Sequence, residues 1–243
     1  MKENKYDDTV FFEQYKKMIR SEKGLAGAGE WYLLEKMLPA FKEKDMLDLG
    51  CGFGWHCRYA MEKGAASVIG VDISEKMLEK AREINCLKGV EYIRQPIEDL
   101  EFPAEKFDIV LSSLTFHYIK SYHTMIDNIY QWLKPGGSFI FSVEHPVFTA
   151  YGTQEWIYDE TGEKAYWPVD NYFLEGKREA VFLGEKVVKY HRTLATYLGT
   201  LLKRGYTVKE VAEPQPAPDM LAEYPEMKEE LRRPMMLLIS AEK

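Results

Sequence analysis

The chain has 243 residues, enough to bury the core of one α/β domain with an insertion, and its 46% hydrophobic and 29% charged residues are ordinary for a globular protein. A formal charge of −7 and a pI near 5.4 give no bulk basic field for phosphate backbones, which argues against nucleic acid as a partner. No apolar run reaches the roughly 18 residues of a membrane span. Three cysteines (Cys51, Cys57, Cys86), not clustered with histidines, and an N-terminus without a signal pattern lead us to expect a cytoplasmic protein with no metal site.

In chain order, Tyr6, Phe11, Phe12, Tyr15, Met18 and Ile19 have partly helical spacing, so residues 1 to 40 are expected to form a helical segment, either a lid over a ligand or an ordinary packed helix. Residues 45 to 50, 67 to 72, 90 to 94, 107 to 112 and 137 to 143 are short apolar runs that read as buried parallel strands. Between them, Trp55 to Lys63, Glu75 to Asn85 and Tyr122 to Leu133 read as helices, the second capped by Ser74 and the third stopped by Lys134-Pro135-Gly136-Gly137. Strands alternating with helices imply right-handed crossovers and a parallel sheet covered on both faces.

Residues 144 to 192 break this rhythm with an aromatic stretch that includes Trp156, Tyr166, Trp167 and Tyr172. We expect an inserted cap with short strands, whose aromatics either wall a substrate or form a small core or homodimer contact. A helix over Thr193 to Lys203 and strands over Tyr206 to Val211 and Met235 to Ala241 follow. The last two strands have no clear helix between them and should pair antiparallel at one edge of the single domain.

The segment Leu47-Asp48-Leu49-Gly50-Cys51-Gly52-Phe53-Gly54 places three alternate glycines after the first strand, where an open α/β sheet binds its ligands. Asp72 ends the second strand about 20 residues on, where a carboxylate can accept both ribose hydroxyls of a nucleoside. A dinucleotide pyrophosphate would be repelled by Asp48 beside this turn, whereas an ammonium would be welcomed. S-adenosylmethionine offers both a ribose for Asp72 and an α-amino group for Asp48, directly or through water.

The stretches LDLGCGFG, VIGVDIS, FDIVLSSLTFHYI and LKPGG, in that order, closely resemble the successive motifs of the class I S-adenosylmethionine-dependent methyltransferases, especially the ubiquinone and menaquinone biosynthesis branch. The resemblance implies a Rossmann-like, seven-stranded, mostly parallel sheet with helices on both faces and a reversed C-terminal strand. It places Gly50, Cys51, Gly52 and Asp72 around the cofactor, Ile73 and Met77 near adenosine, and the loop with Ile97 and Glu98 at the adenine edge. Pro96 stands where many relatives carry Asp, so Gln95, Glu98 or a backbone carbonyl must meet the adenine amino group. Ser112 and Ser113 are expected at the methionine end, or as turn residues.

The acceptor side offers His117, Glu144, His145 and the pair His191-Arg192. A general base is needed only for an acceptor that is protonated at neutral pH, and His117, with His145 behind it, is the candidate. The expected activity is methyl transfer to a small-molecule oxygen, nitrogen or carbon nucleophile. A nicotinamide-dependent oxidoreductase and a non-catalytic cofactor-binding protein are the competing readings.

Overall fold

The computed structural model describes residues 4–243; the first three residues of the expected N-terminal segment lie outside the described residues. That segment is a series of short helices, α1 (Thr9–Lys16), α2 (Ile19–Glu22) and α3 (Trp31–Met37). Asp8 starts α1 by accepting the Phe11 N–H at 3.0 Å, satisfying one of the free donors of its first turn.

The alternating body follows as β1 (Asp45–Leu49), α4 (Trp55–Glu62), β2 (Ser67–Asp72), α5 (Glu75–Ile84), β3 (Val90–Arg94), β4 (Phe107–Ser113), α6 (Tyr122–Trp132) and β5 (Leu133–Glu144). Ser74 caps α5 as expected, its hydroxyl accepting the Met77 N–H at 3.2 Å. The fifth strand begins four residues before the predicted run, so Lys134-Pro135-Gly136-Gly137 lies inside it, at a register shift opposite Phe107 to Ile109.

The insertion contains α7 (Pro146–Thr149), the small pair β6 (Ile157–Tyr158) and β7 (Lys164–Tyr166), and the longer hairpin β8 (Gly176–Phe182) and β9 (Glu185–His191). The chain ends with α8 (Leu194–Arg204), β10 (Thr207–Ala212), α9 (Pro218–Glu223) and β11 (Met236–Glu242). The segment between β10 and β11 is therefore not the plain loop expected from its prolines. Pro218 sits in the first turn of α9, where its missing N–H costs nothing, and a 3₁₀ run over Pro225–Arg232 follows.

The seven-stranded sheet has the order β10-β11-β5-β4-β1-β2-β3. Strands β1 to β5 are parallel, and β11 alone is reversed, antiparallel to both β5 and β10. The chain turns outward in both directions from β1 and β4, and the crevice above their C-terminal ends is where open α/β sheets take ligands.

Alternation along the strands divides the core. Leu47, Leu49 and Val110 face α6 and α8, packing with Tyr122, Ile126 and Leu201. Met46, Ile109 and Leu111 face α3 and α4, packing with Leu34, Met37 and Cys57. A third, smaller core joins the N-terminal segment to the hairpin, where Phe11 is fully buried against Ala180 and Val187.

Candidate active site

A cavity of about 600 Å3 opens at the sheet's switch point, within the size range of cofactor and small-molecule sites. One wall is the strand edge: Gly50, Gly52, Asp72, Ile73, Met77, Ile97 and Glu98 all line it, as do Ser113, Leu114 and Thr115 after β4.

The glycine turn follows directly from sequence. Gly50 has φ +77°, and a Cβ there would stand 2.1 Å from Thr115 Oγ1. Its N–H and that of Cys51 both donate to Val71 O, at 2.8 and 2.9 Å, so the turn is pinned across β2. Gly52, at φ +53°, has nothing within 4 Å of where its Cβ would be, which leaves backbone open to a ligand. The Gly52 N–H donates to Asp72 Oδ2 at 2.9 Å, and the Ser74 N–H donates to Asp72 Oδ1 at 2.9 Å. Each Asp72 oxygen keeps a second lone pair, and burial pushes this carboxyl up to about 6. A nucleoside ribose fits an acceptor held this way.

Other expected cofactor contacts lie elsewhere. Asp48 is fully buried and absent from the lining. The pleat puts it on the Met46 face, beneath α4, where its Oδ2 accepts from Cys57 Sγ at 3.3 Å and burial pushes it up to about 7. Cys51 is also buried off the cavity, its thiol pushed up to about 11 by burial. Ser112 points to the opposite face from Ser113 and donates to Leu49 O at 2.8 Å, tying β4 to β1. Gln95 is not among the lining residues, and its Nε2 donates to Asp99 O at 2.6 Å, whereas Glu98 of the same loop reaches the cavity.

On the acceptor side, His117 lines the cavity and is almost fully buried. Its Nδ1 accepts the Glu144 N–H at 3.3 Å, and burial pushes the ring down to about 4, so it is neutral with its proton on Nε2. In this tautomer Nε2 can donate a hydrogen bond. Glu144 also reaches the cavity, but both oxygens are engaged, by Lys189 Nζ at 2.6 Å and by Gln154 Nε2 at 2.6 Å.

His145 lies off the cavity. It is missing from the lining because its ring caps α7, accepting the Val147 N–H at 3.0 Å, while Nε2 lies 2.7 Å from Glu213 Oε1. His191 is held between Thr149 Oγ1 and Tyr172 O, both at 2.8 Å, and Arg192 is spent on the backbone carbonyls of Phe116, Ile119 and Lys120.

Trp156, Tyr166, Trp167 and Tyr172 of the insertion are not among the residues that line the cavity. Trp167 stacks on Phe148 at 4.9 Å and meets Trp156 edge-on, and Arg233 stands 4.2 Å from the Trp167 ring centre. They form a small core around the arginines that precede β11, with cation–π contacts replacing solvent. From the insertion, the hairpin residues Phe182 and Val187 reach the cavity instead.

Two groups of lining residues lie outside the motifs, and of them Tyr6, Tyr15 and Met18 belong to the segment whose spacing left a lid over a ligand open. One is the N-terminal set Tyr6, Tyr15, Met18, Arg20 and Glu30; the other comes from the segment before β11, with Met220, Met227, Met235 and Met236. Both reach the cavity only through tertiary packing, and no local motif marks them.

A methyltransferase domain family matches residues 47–141. The chain is 36% identical to an uncharacterized protein of Haemophilus influenzae over 98% of its own length and 96% of that protein. It is 56% identical to a crystallised Listeria monocytogenes protein described as an S-adenosylmethionine dependent methyltransferase, with TM-score 0.86 over 90% of this chain and 99% of that one. A Mesorhizobium loti S-adenosylmethionine dependent methyltransferase of known structure is 43% identical, with TM-score 0.84 over 90% of this chain and 100% of that one. The glycine turn, Asp72 on the cavity wall and these likenesses agree: the chain belongs to the class I S-adenosylmethionine-dependent methyltransferases, and S-adenosylmethionine is its cofactor.

Proposed function

We propose that the enzyme methylates a small, carbon-rich molecule held beside the cofactor in the same cavity. The observation that carries this reading is the composition of the wall opposite the glycine turn. Six of the chain's eleven methionines line the cavity, five of them (Met18, Met220, Met227, Met235, Met236) outside the adenosine edge. Methionine side chains are flexible and polarisable, and they suit an apolar guest better than a phosphorylated or sugar-like one. The N-terminal segment serves as a lid and the β8–β9 hairpin as a cap, which favours a molecule that enters whole over a segment of a macromolecule. The negative net charge points the same way.

The cofactor supplies an electrophilic methyl carbon on a sulfonium sulfur. The protein's part is to hold ribose and acceptor in line, since fixing reacting atoms at about 3–3.5 Å supplies much of the rate. His117 Nε2–H orients a polar atom of the acceptor, and the methionine wall keeps water from solvating the nucleophile. No general base is required if the acceptor reacts in its neutral or already ionised form.

The test uses cofactor carrying a labelled methyl group and a cell extract separated by ultrafiltration into metabolite and macromolecule fractions. Label should enter an apolar compound of the metabolite fraction. Label confined to protein or RNA would refute the small-molecule reading, and no transfer to either fraction would favour a non-catalytic binding protein.

A further inference from the structure

The pleat turns Asp48 beneath α4, so the charged end of the cofactor needs partners elsewhere on the cavity wall. Arg20 on α2 and Glu30 at the start of α3 both line that wall. Arg20 Nη2 donates to Glu30 Oε1 at 2.7 Å, and Glu30 is 1% exposed. Its second oxygen, Oε2, is buried without a hydrogen-bond partner among the described residues.

The location of the pair is specific. Ser113 Oγ donates to Glu30 Oε1 at 3.4 Å, which places the carboxylate beside the C-terminal end of β4. Strand β4 runs in register with β1, with Leu111 opposite Asp48, so Ser113 and Gly50 stand at the same level, two residues further on. Glu30 therefore sits next to the glycine turn, while Asp72 marks the ribose at the end of the neighbouring β2.

A buried carboxylate oxygen with no partner is costly, and on the wall of a ligand cavity a donor from the ligand would satisfy it. The guanidinium offers five N–H donors in a planar fork, suited to a carboxylate. An anionic acceptor beside a cationic donor matches a group that carries an ammonium and a carboxylate on one carbon.

We infer that Arg20 and Glu30 form the receptor for the aminoacyl end of S-adenosylmethionine, with Glu30 Oε2 accepting from the α-ammonium and Arg20 donating to the α-carboxylate. The cofactor then bridges the sheet and the N-terminal segment: Asp72 holds its ribose, and a residue pair far from the family motifs holds its other end. A purely structural ion pair, pinning α2 to α3, would treat all nucleoside ligands alike.

Calorimetry with two ligands separates these roles. S-adenosylhomocysteine carries the aminoacyl group, and 5′-methylthioadenosine is a nucleoside thioether that lacks it. Glu30→Gln keeps Oε1 for Arg20 but removes the negative charge, and should weaken S-adenosylhomocysteine binding by roughly tenfold or more while leaving methylthioadenosine within about twofold. Arg20→Gln should give the same split, and stands in if Glu30→Gln does not fold. Equal losses for both ligands, or no loss for either, would overturn the assignment. Failure of the wild-type protein to bind S-adenosylhomocysteine would overturn the cofactor itself, a distinct outcome.

Discussion

Asp72 carries the heaviest duty of any single residue on the cavity's strand edge, because its two oxygens fix the glycine turn and the start of α5 while lining the cavity. Asp72→Ala should weaken S-adenosylhomocysteine binding by roughly 1.5–3 kcal/mol, since the ribose hydroxyls lose a charged acceptor. Unchanged affinity by calorimetry, with the variant folded by circular dichroism, would contradict the ribose contact. The same residue sets a pH dependence. Burial raises its pKa to about 6, and hydroxyl donors bind the anion, so affinity should fall as pH drops through that value. Asp72→Asn should remove that step, and Asp48, which burial raises to about 7, lies off the cavity and should add none. His117, pushed down to about 4 by burial, stays neutral over roughly pH 5 to 8 and should add no step there. Asp72 was legible because a carboxylate at a strand end, a fixed distance past a glycine turn, has few other uses. Asp48 was not, because a motif gives the residue type while the pleat decides which face it serves. Nor was the tautomer of His117 legible, since it depends on which atom meets its Nδ1.

At the scale of elements, the alternation of strands and helices over residues 45 to 144 could be read from apolar runs, the Ser74 cap and the turn glycines, because each signal is local. The β8–β9 hairpin, α9 and the placement of the N-terminal helices could not, since packing between distant segments decides them. Phe11 shows the point: it is fully buried, yet its neighbours Ala180 and Val187 lie far along the chain. Phe11→Ala should destabilise the fold by roughly 3–5 kcal/mol through the cavity it leaves. The expected readout is a lower urea midpoint; an unchanged midpoint would mean that the hairpin is not docked through this ring. The insertion's aromatics teach the complementary lesson. The sequence left Trp156 and Trp167 as either substrate walls or a small core, and they form a small core, covered by Arg232 and Arg233 at 4.5 and 4.2 Å from their ring centres.

Across the whole molecule, one sheet divides the work. Its central strands present the cofactor edge, and the reversed strand β11 brings the methionine-rich segment back over the same crevice from the other side. The N-terminal helices and the hairpin close the remaining faces through the Phe11 core. In the proposed arrangement the sheet edge and the Arg20–Glu30 pair hold the cofactor and the methionine wall faces the acceptor, so the motifs reveal part of the cofactor site and leave the rest to packing. A crystal structure of the protein with S-adenosylhomocysteine tests this arrangement most directly. It should place the ribose hydroxyls on Asp72, the adenine between Met77 and Ile97, and the aminoacyl end at Arg20 and Glu30, with the sulfur facing His117 and the methionine wall. A ligand whose ribose is away from Asp72, or whose sulfur faces solvent with the methionine wall behind the adenine, would contradict it.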